Sequence, residues 1–228
     1  MSLCNIALHP SGQRASVSVD TRATMDGRQF SASKLFAIPH LNALVCGTGL
    51  MSHLNIIAGA ASVTQTLDEL CSSVPGFMQI VRDEIAKAPS VSPDIIEQAA
   101  KTVIAVVAYT GGRIVARVWN GYSNPNYAIH DIAPGKAYCA PFDDELRGVS
   151  PINPEEHERI ARGQVARRCE EAERKGMGIG GKLLYAEVSE TGIRLREICD
   201  LDVEPAAQSV QTIFSGAAVV RGLGGAQL

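Results

Sequence analysis

The sequence predicts an α+β fold in which two antiparallel sheets pack together with helices on the outside. Three observations lead there. Short apolar runs come in pairs joined by turn residues, which reads as hairpins. The runs are blocked as strands, two helices, strands, one helix and strands, not in the strand–helix alternation that builds a parallel sheet. Finally, 228 residues with 46% hydrophobic and 20% charged side chains carry enough apolar mass for one sizeable core without a linker. We therefore read a single domain over residues 1–200 and a C-terminal extension, partly helical or flexible, over 201–228.

Cys4 to Leu8 reads as a strand, His9-Pro10-Ser11-Gly12 as its turn, and Ala15 to Val19 as the return strand. Lys34 to Ile38 and Ala43 to Cys46 make a second hairpin about Pro39-His40-Leu41-Asn42, and Gly47-Thr48-Gly49 switches the chain into a helix. That helix runs from Leu50 to about Leu70, apolar around most of its circumference, and stops at Ser72 to Gly76. A second, amphipathic helix follows from Pro75 to Lys87, with Phe77, Ile80, Val81 and Ile85 on one face, and Asp94 to Ala100 adds a short helical piece. Thr102 to Tyr109 and Arg113 to Trp119 flank Gly111-Gly112 as a hairpin, and Tyr127 to Ile132 and Lys136 to Ala140 flank Pro134-Gly135. After the acidic loop from Asp143 to Pro151, Asn153 has the chemistry of an N-cap, Pro154 suits the first helical position and Glu156 the capping-box acid, opening a helix to about Lys175. Lys182 to Val188 and Ile193 to Cys199 close the domain as a hairpin about Glu190-Thr191-Gly192.

Composition removes several classes of partner. The formal charge is −3, with Lys and Arg scattered, so neither nucleic acid nor a membrane surface is expected. The six cysteines are far apart, form no CxxC pair and accompany no secretory signal, which argues for reduced core thiols in a cytoplasmic protein and against a disulfide framework or zinc site. No apolar stretch reaches the length of a membrane span. We expect no metal and no cofactor.

The run Gly176-Met177-Gly178-Ile179-Gly180-Gly181-Lys182 has the spacing of a phosphate loop, yet that loop needs a strand before it, a helix after it and a hydroxyl beside the lysine. Here the order is reversed and Leu183 stands at the hydroxyl position. A helix end with a close backbone approach accounts for the glycines.

A different constellation carries chemistry. Met1-Ser2-Leu3-Cys4-Asn5-Ile6 leads directly into the first strand, Val19-Asp20-Thr21-Arg22-Ala23-Thr24-Met25 follows, then Ser33-Lys34-Leu35-Phe36-Ala37-Ile38, then Cys46-Gly47-Thr48-Gly49. A hydroxyl or thiol on the first residue of a mature chain can use its own α-amine, which titrates at about 7.7 to 8.0, as general base. These segments resemble the catalytic half of proteasome β-subunits and of their bacterial two-component relatives, closely over residues 4–90 and more loosely beyond. The resemblance implies an N-terminal-nucleophile hydrolase: a four-layer αββα sandwich cleaving an amide bond. By motif, Asp20 is the acid, Lys34 the lysine that tunes the nucleophile and Gly47 the oxyanion donor, while Arg22, Thr24 and Thr48 line the substrate cleft, Thr24 through its backbone.

Counting back from Asp20 without gaps puts the nucleophile at Cys4, once residues 1–3 are absent. Aligning the first turn on Gly12 puts it at Ser2, once Met1 is removed. Cys4 is favoured because a thiolate is the stronger nucleophile, and Ser2 is the alternative. The resemblance further implies a peptide or small-amide substrate and a homo-oligomer, either dimer or ring, and leaves an ATPase partner open. Where the family has a Gly-Ser-Gly segment and supporting Asp and Ser side chains, this chain has Tyr138-Cys139-Ala140-Pro141 and Gly176-Met177-Gly178-Ile179. The alternative function is therefore a catalytically inactive assembly subunit.

Overall fold

The computed structural model describes residues 2–25, 28–121, 127, 129–141, 146–175 and 178–203. Two five-stranded antiparallel sheets dominate it. In the first, β1 (Cys4–Leu8) is flanked by β10 (Ala137–Ala140) and β2 (Arg14–Asp20), and β11 (Lys182–Ser189) and β12 (Gly192–Asp200) extend the sheet beyond β2. In the second, the order is β5 (Leu35–Ile38), β6 (Ala43–Thr48), β7 (Val103–Thr110), β8 (Arg113–Asn120) and β9 (Ile129–Asp131). A separate hairpin, β3 (Arg22–Met25) with β4 (Arg28–Ser31), leaves the end of β2. The helices are α1 (Met51–Val63), α2 (Leu67–Lys87), α3 (Pro93–Ala100) and α4 (Pro154–Lys175).

Strand alternation builds the interior, because side chains two apart share a face. Cys4, Ile6, Leu8, Val17, Val19, Ala186 and Val188 of the first sheet form one buried cluster with Leu44, Cys46, Val103, Ala105, Val107, Ala116 and Val118 of the second. The opposite face of the second sheet, through Val45, Ile104, Val106 and Trp119, clusters with Leu54 and Ile57 of α1 and Leu70, Val74 and Met78 of α2. Leu3 and Leu183 cluster with Ala161 of α4, with Ile179 and with Leu201. No helix among the described residues is long and apolar enough to cross a membrane.

The helices after β6 differ from expectation in where they divide. The sequence pattern places the break at residues 72–76, whereas α1 ends at Val63 and α2 starts at Leu67. Thr66 explains it: its hydroxyl accepts from the Glu69 N–H at 3.2 Å, and the Glu69 carboxylate accepts from the Thr66 N–H at 3.2 Å, a complete capping box. Pro75 then lies inside α2, at the expense of the bond its missing N–H would make to Cys71. The buried stripe Leu70, Cys71, Val74, Met78 and Val81 runs through that position and holds the helix together. α1 is also less enclosed than its composition suggests, since Ile56 and Val63 are exposed.

The hairpin β3–β4 was not expected, although its connecting dipeptide Asp26-Gly27 is a hairpin signal in the sequence. The predicted strand from Tyr127 shortens to Ile129–Asp131; Tyr127 itself has φ of 54° and is buried. The N-terminus of α4 matches expectation: the Glu156 N–H donates to Asn153 Oδ1 at 2.9 Å, and the Glu156 carboxylate reaches back to the Ile152 N–H. The loop prediction at residues 142–145, the glycine run at 176–177 and the extension beyond Val203 lie outside the described residues.

Candidate active site

Asp20 ends β2 with its side chain on the opposite face from Val17 and Val19, in a polar row with Ser16 and Ser18. Lys34 stands just before β5. Both are buried, at 0% and 2% exposure, and Lys34 Nζ donates to Asp20 Oδ1 at 2.8 Å. Three further groups fix the pair. The Leu3 N–H donates to the same Oδ1 at 2.8 Å, the Gly180 N–H donates to Oδ2 at 3.2 Å, and the Arg22 carbonyl accepts a second bond from Lys34 Nζ.

Every acceptor and donor around this ion pair is charge-assisted or main-chain, the setting a buried pair needs to survive the loss of water. Burial nevertheless pulls both groups toward their neutral forms. It raises the Asp20 carboxyl above the ordinary carboxylate range and lowers the Lys34 ammonium below the ordinary lysine range, while their mutual attraction opposes both changes. A lysine of that kind gives up and regains a proton more readily than one in water.

Asp20 lies opposite Leu3 in the β1–β2 register, which pairs Cys4 with Val19. The bond from Leu3 therefore holds the start of β1 against the carboxylate, and the residue before it in sequence, Ser2, is half-buried. Cys4 has a different setting. It is paired on one side with Val19 and on the other with Ala140, and its sulfur is fully buried between the sheets, 3.8 Å from that of Cys46. The contact with Cys46 and burial raise its thiol well above the usual range, and Lys34 only partly opposes them. In this chain Cys4 is a core thiol.

Gly47 lies near the end of β6. The Asn42 carbonyl accepts from the Tyr109 N–H, so the even-numbered peptide groups of β6 bond to β7 and the odd-numbered ones, Gly47 included, turn toward β5. β5 begins with Leu35 opposite Cys46, so the Gly47 peptide group turns toward the segment that carries Lys34. Glycine is required there because a Cβ would collide with the Val103 carbonyl.

The other expected residues divide. Arg22 reaches the pair through its carbonyl, but its guanidinium turns to Asp202 and the Ile179 carbonyl. Thr24 lies in β3 opposite Gln29, and Thr48 ends β6 opposite Val103, buried. Sequence reasoning missed the donors from Leu3 and Gly180, which belong to the backbone and leave no trace in residue type. It also passed over Gly180-Gly181 once the phosphate-loop reading had been set aside. Here α4 precedes and β11 follows, and the glycines let the chain approach Asp20: a Cβ on Gly180 would collide with the Arg22 guanidinium, and one on Gly181, at φ of 72°, would lie 2.6 Å from Thr21 Oγ1.

The site is thus a buried ammonium–carboxylate pair beside the start of β1, with the Gly47 peptide group turned toward the segment of Lys34. Such groups stabilise an alkoxide and a tetrahedral oxyanion. Comparison with known proteins adds the fold. No family model matches the chain, and no curated protein matches it by sequence. A solved structure of the Gly-1 mutant of Anbu from Hyphomicrobium sp. strain MC1 is similar over 87% of each chain, with a TM-score of 0.59 and 10% sequence identity. The chain therefore has an α+β fold of antiparallel sheets and helices shared with Anbu.

Proposed function

We propose that this protein is an N-terminal-nucleophile hydrolase that cleaves an amide bond, with Ser2 as nucleophile after removal of Met1. The observation that carries the reading is the shared Asp20 Oδ1, which takes the Lys34 ammonium and the Leu3 N–H at 2.8 Å each and so joins the tuning lysine to the residue following Ser2. The freed Ser2 amine is the general base, Lys34 stabilises the alkoxide, Asp20 holds Lys34, and the Gly47 N–H receives the oxyanion. Anbu is a proteasome-like peptidase of the N-terminal-nucleophile type, and the common fold supports the same four-layer αββα reading here.

Ser2 is preferred to Cys4 on energetic grounds. A chain beginning at Cys4 would lose the Leu3 N–H that holds Asp20 and the fully buried Leu3 side chain, a loss of about 1.5 to 3 kcal/mol for the side chain alone. Its thiol would also have to ionise between two apolar sheets. The substrate class in this reading is a peptide or a small amide, Arg22, Thr24 and Thr48 belong to the walls of the cleft, and the assembly is a homo-oligomer.

The test is intact-mass analysis of untagged protein before and after treatment with a peptide β-lactone, followed by mapping of the acylated residue. Loss of Met1 and acylation at Ser2, abolished in Lys34→Ala, is the expected result. Acylation at Cys4 would transfer the role to that residue. Retained Met1 with no acylation would leave the inactive assembly subunit as the better account.

A further inference from the structure

We propose that residues 200–203, the turn that follows β12, form a positioning element of this site, with Asp202 as the latch. The proposal rests on the reading of Ser2 and Lys34 given above. Its basis is that this short segment touches both halves of the site. Leu201 is buried in one cluster with Leu3, the residue next to Ser2, and with Ile179 and Leu183. Asp202 pairs with the Arg22 guanidinium, and the Arg22 carbonyl is the second acceptor for Lys34 Nζ.

The segment is itself held from three directions. The Leu201 N–H donates to the Gly181 carbonyl at 2.8 Å, and Asp202 Oδ1 accepts from the Gly181 N–H at 3.1 Å. The Asp202 N–H donates to Asp200 Oδ1 at 2.9 Å. Arg162 of α4 donates to the Val203 carbonyl at 3.0 Å and to the Asp200 carbonyl at 3.4 Å. The Gly180-Gly181 corner lies between this turn and the catalytic side: the Arg22 N–H donates to the Gly180 carbonyl at 3.0 Å, and the Gly180 N–H reaches Asp20. Asp202, Gly181, Gly180, Arg22 and Asp20 are therefore one bonded circuit that closes on Lys34.

Charge gives Asp202 a role that packing alone would not. The Arg22 guanidinium is a cation near a second, buried cation, and it works against the charged form of Lys34. The groups that act on Lys34 are Asp20, Arg22 and Cys4, and Asp202 is the counter-charge paired with Arg22. Removing that counter-charge leaves Arg22 uncompensated and lowers the pH at which Lys34 deprotonates.

The experiment compares the full chain with D202N and D202E, following the Lys34 ε-amine by NMR titration and the backbone amides by hydrogen exchange. In D202N the Lys34 midpoint falls, and the Arg22 and Gly181 amides exchange about tenfold faster, while Val107 in β7 keeps its protection. D202E restores both readouts. An unchanged Lys34 midpoint in D202N, or faster exchange at Val107 as well as at the corner, overturns the latch. Neither readout depends on Ser2 being reactive, so a failed acylation experiment and a failed latch are separate results.

Discussion

Ionising His157 should destabilise this protein in acid by an amount the structure allows us to work out. His157 lies on the face of α4 turned to the first sheet, fully buried, with Nδ1 2.7 Å from Ser18 Oγ and Nε2 2.9 Å from Ser16 Oγ. Ser16 donates its hydroxyl proton to the Pro151 carbonyl at 2.8 Å, so Nε2 carries the ring proton and Nδ1 accepts from Ser18. The ring meets Tyr185 edge to face at 5.3 Å. This arrangement uses both nitrogens of the neutral ring, and burial pushes the imidazole down to about 3.

An unfolded histidine titrates at about 6.5. Between those values the unfolded chain binds more protons, so the stability contributed by neutral His157 is complete above about pH 6.5 and is lost as pH falls toward 3. At about pH 5 the loss is about 2 kcal/mol, and it approaches about 5 kcal/mol at the lower end. The assay is urea unfolding of wild type and His157→Gln at about pH 7.5 and pH 5. Glutamine does not titrate, so wild type should lose about 2 kcal/mol more than the variant over that interval. His53, pushed by burial to about 4, titrates in both proteins and cancels in the difference. Parallel losses, within about 0.5 kcal/mol, would refute the reasoning.

Two further outcomes follow from local geometry. Gly47→Ala drives a Cβ into the Val103 carbonyl, so it should destabilise by about 1 to 3 kcal/mol in thermal unfolding and abolish acylation at Ser2; a variant of wild-type stability would mean that β6 and β7 separate easily. Thr66→Ala removes the cap of α2 and should cost about 1 kcal/mol in urea unfolding without altering acylation, whereas no loss would show that packing alone sets the start of α2.

The parts of this fold legible in the sequence are those governed by neighbours along the chain. The hairpin of β1 and β2, that of β7 and β8, that of β11 and β12, and the cap at Asn153 all follow from alternation, turn residues and side-chain oxygens within a few positions. The misplaced break between α1 and α2 is instructive, because Ser72 to Gly76 is a strong stop signal taken alone. It lost to the capping box at Thr66 and to a buried stripe that continues through Pro75. His157 and Gln164 were read past because a helix face of Ala161, Val165 and Cys169 looks apolar; what gives them a place is the row of Asn5, Ser16 and Ser18 on the facing sheet.

The same division runs through the candidate site. By itself the sequence determined that Asp20, Lys34 and Gly47 stand at the ends of hairpin strands, since spacing and turn chemistry are local. Only the tertiary structure decided what those residues meet. The Leu3 N–H, the Gly180 N–H 160 positions from Asp20, and the Arg22 carbonyl are peptide groups that every residue type carries, so nothing in the sequence marks them. Strand register and the stacking of two sheets bring them to one buried carboxylate. The same register puts the Cys4 side chain between the two sheets and that of its neighbour Leu3 against α4, because neighbouring side chains on a strand face opposite ways.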